Sequence, residues 1–295
     1  MRCVVLGGGT MGVGIAAVLA RACGPVTVLE PDEARRTALS ADVAALGGEA
    51  DPVAALDAVP WEGVGLVVEA VPENLELKRE TFAALERVAP ADAILASNSS
   101  SFPISRIAEG LGNPQRMAGL HFFMPAHLVP LVEVISGART SPGTADRLIG
   151  LMRDCGKRPV HVRRDVPGFL GNRMQLALLR ESLALLEAGV ASAEDIDAAV
   201  RYGFGARYLA AGPLMQKDLA GLDVHAAAAT TIYPTLDTST EPRAVLTGKV
   251  EAGRLGVKAG GGFYDWPGAS GAEARRAYER RLRAAIALLD DQDCA

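Results

Sequence analysis

The chain has 295 residues, 49% of them hydrophobic, which suffices for one large core or two moderate ones, and the length favours two domains. A net charge of only -5, with lysines and arginines scattered rather than clustered, provides no field for a phosphate backbone and excludes nucleic acid as an expected partner. Four dispersed cysteines fit neither a disulfide framework nor a metal site, and the first apolar run is too short for a signal or a membrane span, so a soluble, cytoplasmic chain with no metal and no membrane partner is expected.

Residues 3–6 form a short apolar run, followed by glycines and an Ala- and Val-rich stretch over 11–22, the pattern of strand, tight turn and helix. Further buried-strand runs lie at 26–29 and 64–68, before a charged helical stretch at 75–88. The series continues at 93–96, 117–121, 131–135 and 159–162. Strands alternating with helices imply a doubly wound, mostly parallel α/β sheet of the Rossmann type. After Asp165 the character changes: 168–187 reads as one long helix, and no convincing strand follows. The expected division is a dinucleotide-binding domain over 1–164 and a smaller all-α domain over 165–295. The long helix is apolar on two faces, which fits either a helix central to its own domain or a homodimer interface.

Gly7, Gly8, Gly9, Thr10, Met11 and Gly12 have the G-x-G-x-x-G form, directly after a strand and directly opening a helix. Gly7 permits the tight turn, Gly9 lets the backbone approach a pyrophosphate, and Gly12 allows close helix packing, while the helix N-terminus at Thr10 and Met11 favours the anion. Glu30 closes the second strand run at the distance where a carboxylate accepts the ribose hydroxyls of NAD. NAD is the expected cofactor; Arg35 and Arg36 keep NADP open.

His121 stands where an apolar strand should end, the place where parallel sheets bind ligands. Glu133 lies inside the next apolar run, and a carboxylate flanked by branched apolar residues must be paired, because burying an unpaired charge is expensive. His121 is its natural partner. The pair suits oxidation of an alcohol, in which imidazole takes the hydroxyl proton and the carboxylate fixes its tautomer.

Several stretches in order complete the pattern: the glycine turn, Ala70-Val71-Pro72-Glu73-Asn74-Leu75, Ser97-Asn98-Ser99-Ser100-Ser101, Gly119-Leu120-His121-Phe122-Phe123, Leu131-Val132-Glu133-Val134, and Asp165-Val166-Pro167-Gly168-Phe169-Leu170-Gly171-Asn172-Arg173. With these the chain resembles the L-3-hydroxyacyl-CoA dehydrogenase family over nearly its whole length. The resemblance implies that His121 is the base and Glu133 its partner, that Ser100 and Asn172 hold the substrate oxygen, and that Glu73, Lys78 and Asn98 line the cofactor or substrate cleft. Lys78 reads equally well as a solvated helix charge. The stretch from Gly256 to Tyr264 resembles the family's glycine-rich closing loop or a flexible turn. His127, His161 and His225 read as loop, strand and helix residues with no comparable carboxylate.

Two departures stand out. Met124 occupies the position where the family usually has asparagine, so a thioether replaces an amide. Residues 31–72 are short and contain no lysine, with Arg35 and Arg36 as their only cations, where fatty-acid-oxidising members carry a lysine-rich insertion that helps to hold coenzyme A. The expected substrate is therefore a small molecule, either an L-3-hydroxyacyl-CoA or, on a second reading, a small hydroxy acid without coenzyme A, as in relatives that resemble gulonate, carnitine and pyridine-carboxylate dehydrogenases. Arg173, Arg201 and Arg207 are candidate partners for such an acid's carboxylate. A carrier-bound acyl group and a catalytically silent, crystallin-like NAD-binding role complete the alternatives.

Overall fold

A computed structural model describes residues 1–290 and divides the chain into two compact units, Met1–Arg173 and Met174–Ala295. The first unit carries strands β1 (Arg2–Leu6), β2 (Val26–Leu29), β3 (Ala50–Val53), β4 (Val64–Glu69), β5 (Ile94–Ser97), β6 (Met117–Phe122), β7 (Leu131–Ile135) and β8 (Arg158–Val162). They form one sheet in the order β3-β2-β1-β4-β5-β6-β7-β8. All pairings are parallel except β6 with β7. The strand order reverses between β1 and β4, so this is the doubly wound Rossmann-type sheet.

Helices α1 (Thr10–Cys23), α2 (Glu33–Ala44), α3 (Leu75–Val88), α4 (Ile104–Ile107) and α5 (Pro142–Asp154) accompany the sheet, and α6 (Gly171–Glu187) follows β8. Both sheet faces are covered, which is why the strands read as continuous apolar runs rather than alternating ones. In β1, Cys3 and Val5 join one core cluster with Ile15 and Leu19 of α1 and Leu148 of α5, while Val4 and Leu6 join the other with Phe82 and Leu85 of α3. Each such fully buried side chain stabilises the fold by about 1.5–3 kcal/mol.

Two elements differ from the sequence pattern. β3, with the sequence Ala-Asp-Pro-Val, is an edge strand beside β2 alone, where Pro52 is tolerated because one side of the ladder needs no donor. The long helix begins at Gly171 rather than at residue 168, because Gly168 (φ 76°) and Phe169 (φ 52°) are left-handed. For a phenylalanine that conformation costs about 1–3 kcal/mol; its ring, with no exposed surface, offsets this within the second core cluster. The first unit thus extends past residue 164 as far as Arg173.

The second unit is helical, with Ala193–Ala198, the π-helical Ala199–Gly205, Pro213–Ala220, Leu222–Ile232, Ala244–Glu251 and Ser270–Asp290 as its main later elements. Among the described residues it contains no strand beyond isolated bridges around Gly261. No described helix is long and apolar enough to cross a membrane.

Candidate active site

The glycine turn places backbone where side chains cannot go. A Cβ on Gly12 would lie 1.8 Å from the carbonyl oxygen of Gly7, and one on Gly7 (φ 99°) would lie 2.7 Å from that of Ala70. Gly9, in contrast, faces open space, with nothing within 4 Å of its Cβ position. It is also the N-cap of α1, which no side chain caps, whereas Asp32, Asn74 and Ser141 cap α2, α3 and α5. The first turn of α1, with Thr10 and Met11, therefore offers its free N–H groups and positive dipole end to an anion. Glu30 is buried just beyond β2 and anchored by the N–H groups of Gly8 (2.8 Å) and Asp32 (2.9 Å). An open helix N-terminus beside a fixed carboxylate fits the pyrophosphate and ribose of NAD.

His121 and Glu133 are direct partners across the antiparallel β6–β7 ladder, where opposed side chains meet. His121 Nδ1 and Glu133 Oε2 are 2.7 Å apart, with Glu133 fully buried and His121 only 4% exposed. The other carboxylate oxygen accepts the N–H groups of Leu170 and Gly171, each at 2.9 Å. Burial pushes the Glu133 carboxyl up, but the His121 bond and those two N–H groups outweigh it, and the carboxyl is held below its usual value. The rings of Phe123 and Phe169 lie 4.7 and 5.7 Å from the imidazole. With Nδ1 engaged, the ring has Nε2 left for chemistry.

The loop after β5 brings together most of the other expected residues. Asn98 Oδ1 accepts the N–H of Phe122, next to His121, at 2.9 Å. Asn172 Nδ2 donates to the carbonyl oxygen of Ser100 at 3.2 Å. Glu73 binds Ser99, Ser100 and Ser101. Lys78 is 1% exposed and pairs with Glu69 at 2.7 Å and Glu73 at 3.2 Å, so it is not a solvated helix charge. Arg173 lies beside Asn172 and donates to the carbonyl oxygen of Pro167; Arg201 and Arg207 belong to the second unit. His161 pairs with Ser136 rather than with a carboxylate.

Sequence reasoning did not single out Glu69, Ser97, Lys157 or Phe169. Glu69 carries the same signal as Glu133, a carboxylate at an apolar strand, and accepts from Lys78, Ser97 and the Val71 N–H. Lys157 ties the loop after β6 by donating to the carbonyl oxygens of Ala126 (2.6 Å) and Val129 (2.8 Å), and burial lowers its pKa to about 8.

The NAD-binding domain model of 3-hydroxyacyl-CoA dehydrogenase matches residues 51–166, and the model of that enzyme's C-terminal domain matches residues 168–266. The chain belongs to the 3-hydroxyacyl-CoA dehydrogenase family. It is 35% identical over 276 residues to a 5-formyl-3-hydroxy-2-methylpyridine 4-carboxylate 5-dehydrogenase of Mesorhizobium japonicum, covering 88% of this chain and 89% of the relative. It is 38% identical over 283 residues to a 3-hydroxybutyryl-CoA dehydrogenase of Mycobacterium tuberculosis, covering 90% and 98%. A crystal structure of the pyridine-carboxylate type of enzyme, described as an NAD+-dependent dismutase, superposes with a TM-score of 0.91 at 33% identity over 98% of both chains. As a member of this family the chain is an NAD-dependent oxidoreductase acting on CH–OH groups.

Proposed function

We propose that this family member oxidises a small hydroxy acid that carries no coenzyme A, with His121 as the base. The observation that carries the chemistry is the buried 2.7 Å contact between His121 Nδ1 and Glu133, which leaves Nε2 as the proton acceptor. His121 takes the substrate's hydroxyl proton, and Glu133 offsets the charge of the imidazolium that forms. Bound NAD supplies the hydride acceptor. Ser100 and Asn172 hold the substrate oxygen, and the open end of α1 with Glu30 holds the cofactor.

The substrate class rests on residues 31–72, which hold before β4 only the 12-residue α2, the edge strand β3 and a short 3-10 turn, and which carry no lysine to grip a phosphorylated handle. The similarity at TM-score 0.91 to an enzyme whose named substrate is a formyl-pyridine carboxylate supports a small acid without coenzyme A, and Arg173 is the candidate partner for the acid group. A hydroxyacyl-CoA substrate is the second reading, favoured by the 38% identity to the mycobacterial enzyme. Rates of NAD reduction with L-3-hydroxybutyryl-CoA, free L-3-hydroxybutyrate, gulonate, carnitine and a hydroxymethyl-pyridine carboxylate decide between them. Turnover of a free acid but not of the thioester is expected; turnover of the thioester alone overturns the substrate assignment.

We also infer that the second unit pairs with a second copy of this chain. Among its described residues Leu183 alone is a buried hydrophobic side chain, while Leu214, Leu219, Tyr202 and Tyr233 are at least 70% exposed. A helical unit so poor in core needs an apolar cover, and a symmetric dimer provides it. Sedimentation of a monomer at micromolar concentration would contradict this. The thiols of Cys3, Cys23 and Cys155 are free, which suits a cytoplasmic setting.

A further inference from the structure

Three of the four cysteines, dispersed in the sequence, meet in the fold. Cys3 opens the buried part of β1, Cys23 ends α1 and Cys155 caps the end of α5. Cys3 and Cys155, each 1% exposed, belong to one core cluster, and the half-buried Cys23 packs against it. The Cys3 and Cys23 thiols hydrogen-bond to each other, and Cys155 is near enough to act on both electrostatically. None of the three is part of a disulfide.

The three differ in access and in charge. Cys23, unlike Cys3 and Cys155, lines an open cavity of about 420 Å³, with Met1, Gly65, Arg147, Leu151 and Asp154 among its walls. The hydrogen bond from Cys3 brings the Cys23 thiol down to about 7 from an ordinary 9.0, against burial and the Asp154 carboxylate. The same bond, helped by burial, pushes the Cys3 thiol up, and burial pushes that of Cys155 up to about 12. The thiolate, not the thiol, is the nucleophile. Near neutral pH Cys23 is therefore the one ready to react, with Cys3 as the proton donor beside it.

We propose that Cys23 is an oxidisable site, reached through this cavity by a small hydroperoxide, and that Cys3 is its resolving partner. The Cys23 thiolate attacks the peroxide: an S–O bond forms and the O–O bond breaks. Sulfur is oxidised to the sulfenic acid, and the other peroxide oxygen takes up a proton and leaves as alcohol or water. The Cys3 sulfur then attacks the Cys23 sulfur; the S–S bond forms, the S–O bond breaks, and the sulfenic oxygen leaves as water with the Cys3 proton. Bonding brings the sulfurs to about 2.05 Å, and Cys23 is placed to move, as the last residue of α1 with Gly24 (φ 74°) behind it. The bond ties the start of β1 to the end of α1, at the opposite end of that unit from Gly7 and Gly9, so it leaves the glycine turn uncovered.

The test is cysteine mapping of the full-length protein. Trypsin cuts after Arg2, Arg21, Arg35 and Arg153, so each of the three cysteines leaves on its own peptide. Before oxidation, iodoacetamide near neutral pH is expected to label Cys23 on the order of tenfold or more faster than Cys3 and Cys155, at a rate that saturating NAD leaves unchanged. After hydrogen peroxide, the peptides 3–21 and 22–35 should appear joined, and dithiothreitol should separate them. In Cys3→Ala the labelling of Cys23 should slow, because the thiolate has lost its donor, and peroxide should leave a Cys23 sulfenic acid that dimedone traps. Should Cys3→Ala not fold, Cys3→Ser, which keeps a donor but cannot form the disulfide, is expected to give the same trapped product. Peroxide that leaves Cys23 unmodified overturns the site, whether or not another cysteine reacts. A disulfide between Cys23 and Cys155, or overoxidation of Cys23 as fast in wild type as in Cys3→Ala, overturns Cys3 as the resolving partner.

Discussion

Glu133→Gln isolates the charge of the dyad from its shape. The glutamine oxygen can still accept from Leu170 and Gly171, which lie 2.9 Å from Glu133 Oε1, so the left-handed turn at Phe169 keeps its anchor and the fold should persist. The amide nitrogen then occupies the position of Oε2, 2.7 Å from His121 Nδ1, and can only donate. Nδ1 must become the acceptor, which moves the ring proton to Nε2, the nitrogen we propose as the base. Losing a hydrogen bond to a charged partner removes about 1.5–3 kcal/mol, or roughly 10- to 150-fold in rate. The wrong tautomer adds to this, and the corresponding exchange in a Ser-His-Asp triad lowers kcat about 10⁴-fold. The expected loss in kcat lies between these, near 10³-fold, with little change in NAD affinity. Steady-state NAD reduction with a substrate identified by the panel, alongside a cofactor titration, measures both. A kcat within about threefold of wild type would mean that the pair is structural and that the proton goes elsewhere.

His121→Ala should abolish turnover and leave NAD binding intact, read by the same two assays; residual turnover near the wild-type rate would exclude it as the base. Gly9→Ala and Gly12→Ala should separate cofactor binding from folding. The Gly9 methyl meets nothing within 4 Å, so Tm should hold while NAD affinity drops, whereas the Gly12 methyl would lie 1.8 Å from Gly7 O and should cost more than about 3 kcal/mol of stability. Glu30→Ala should weaken NAD and narrow the preference over NADP, seen in the ratio of kcat/KM for the two cofactors. For Glu73, burial raises the carboxyl pKa, but the Ser99 and Ser101 hydroxyls and Lys78 bring it down to about 2 from an ordinary 4.5. A depressed acid stabilises the fold above its unfolded value and loses that contribution as pH falls through the folded one. The stability gap between wild type and Glu73→Gln should therefore be constant above pH 4.5 and close as pH falls towards 2; a gap that stays flat through that window would show that the ionised form is not what the loop uses.

The parts legible in the sequence are those where burial leaves a one-dimensional trace. Seven strands announce themselves as apolar runs because helices cover both faces of the sheet, and Glu133 is conspicuous because it interrupts such a run. β3 leaves no such trace, since an edge strand with Pro52 needs only one partner. Glu69 closes its apolar run rather than interrupting it, so it reads as the first residue of a turn although it is fully buried. Lys78 shows the limit most clearly: its helix is charged on both sides of it, and only the approach of β4 makes it internal. Phe169 has a left-handed backbone that no residue-type preference predicts, and the two N–H groups that follow it are held by Glu133 from a distant strand.

The antiparallel pairing of β6 with β7 explains why the dyad forms here. Parallel neighbours need a crossover of about a dozen or more residues, but only residues 123–130 separate these two strands, so the chain must turn straight back. The turn sets the third residue of β7 opposite the penultimate residue of β6, at the carboxyl end of the parallel strands. The same end carries Glu69 in register with Ser97, and Ser97 in register with Gly119. Two buried carboxylates, each with one cationic or ionisable partner, thus flank the serine loop from opposite sides, His121–Glu133 beyond β5 and Lys78–Glu69 before it. Burying either carboxylate alone would be strongly unfavourable; each is held by at least three donors, so the sheet keeps both in fixed positions on either side of the loop.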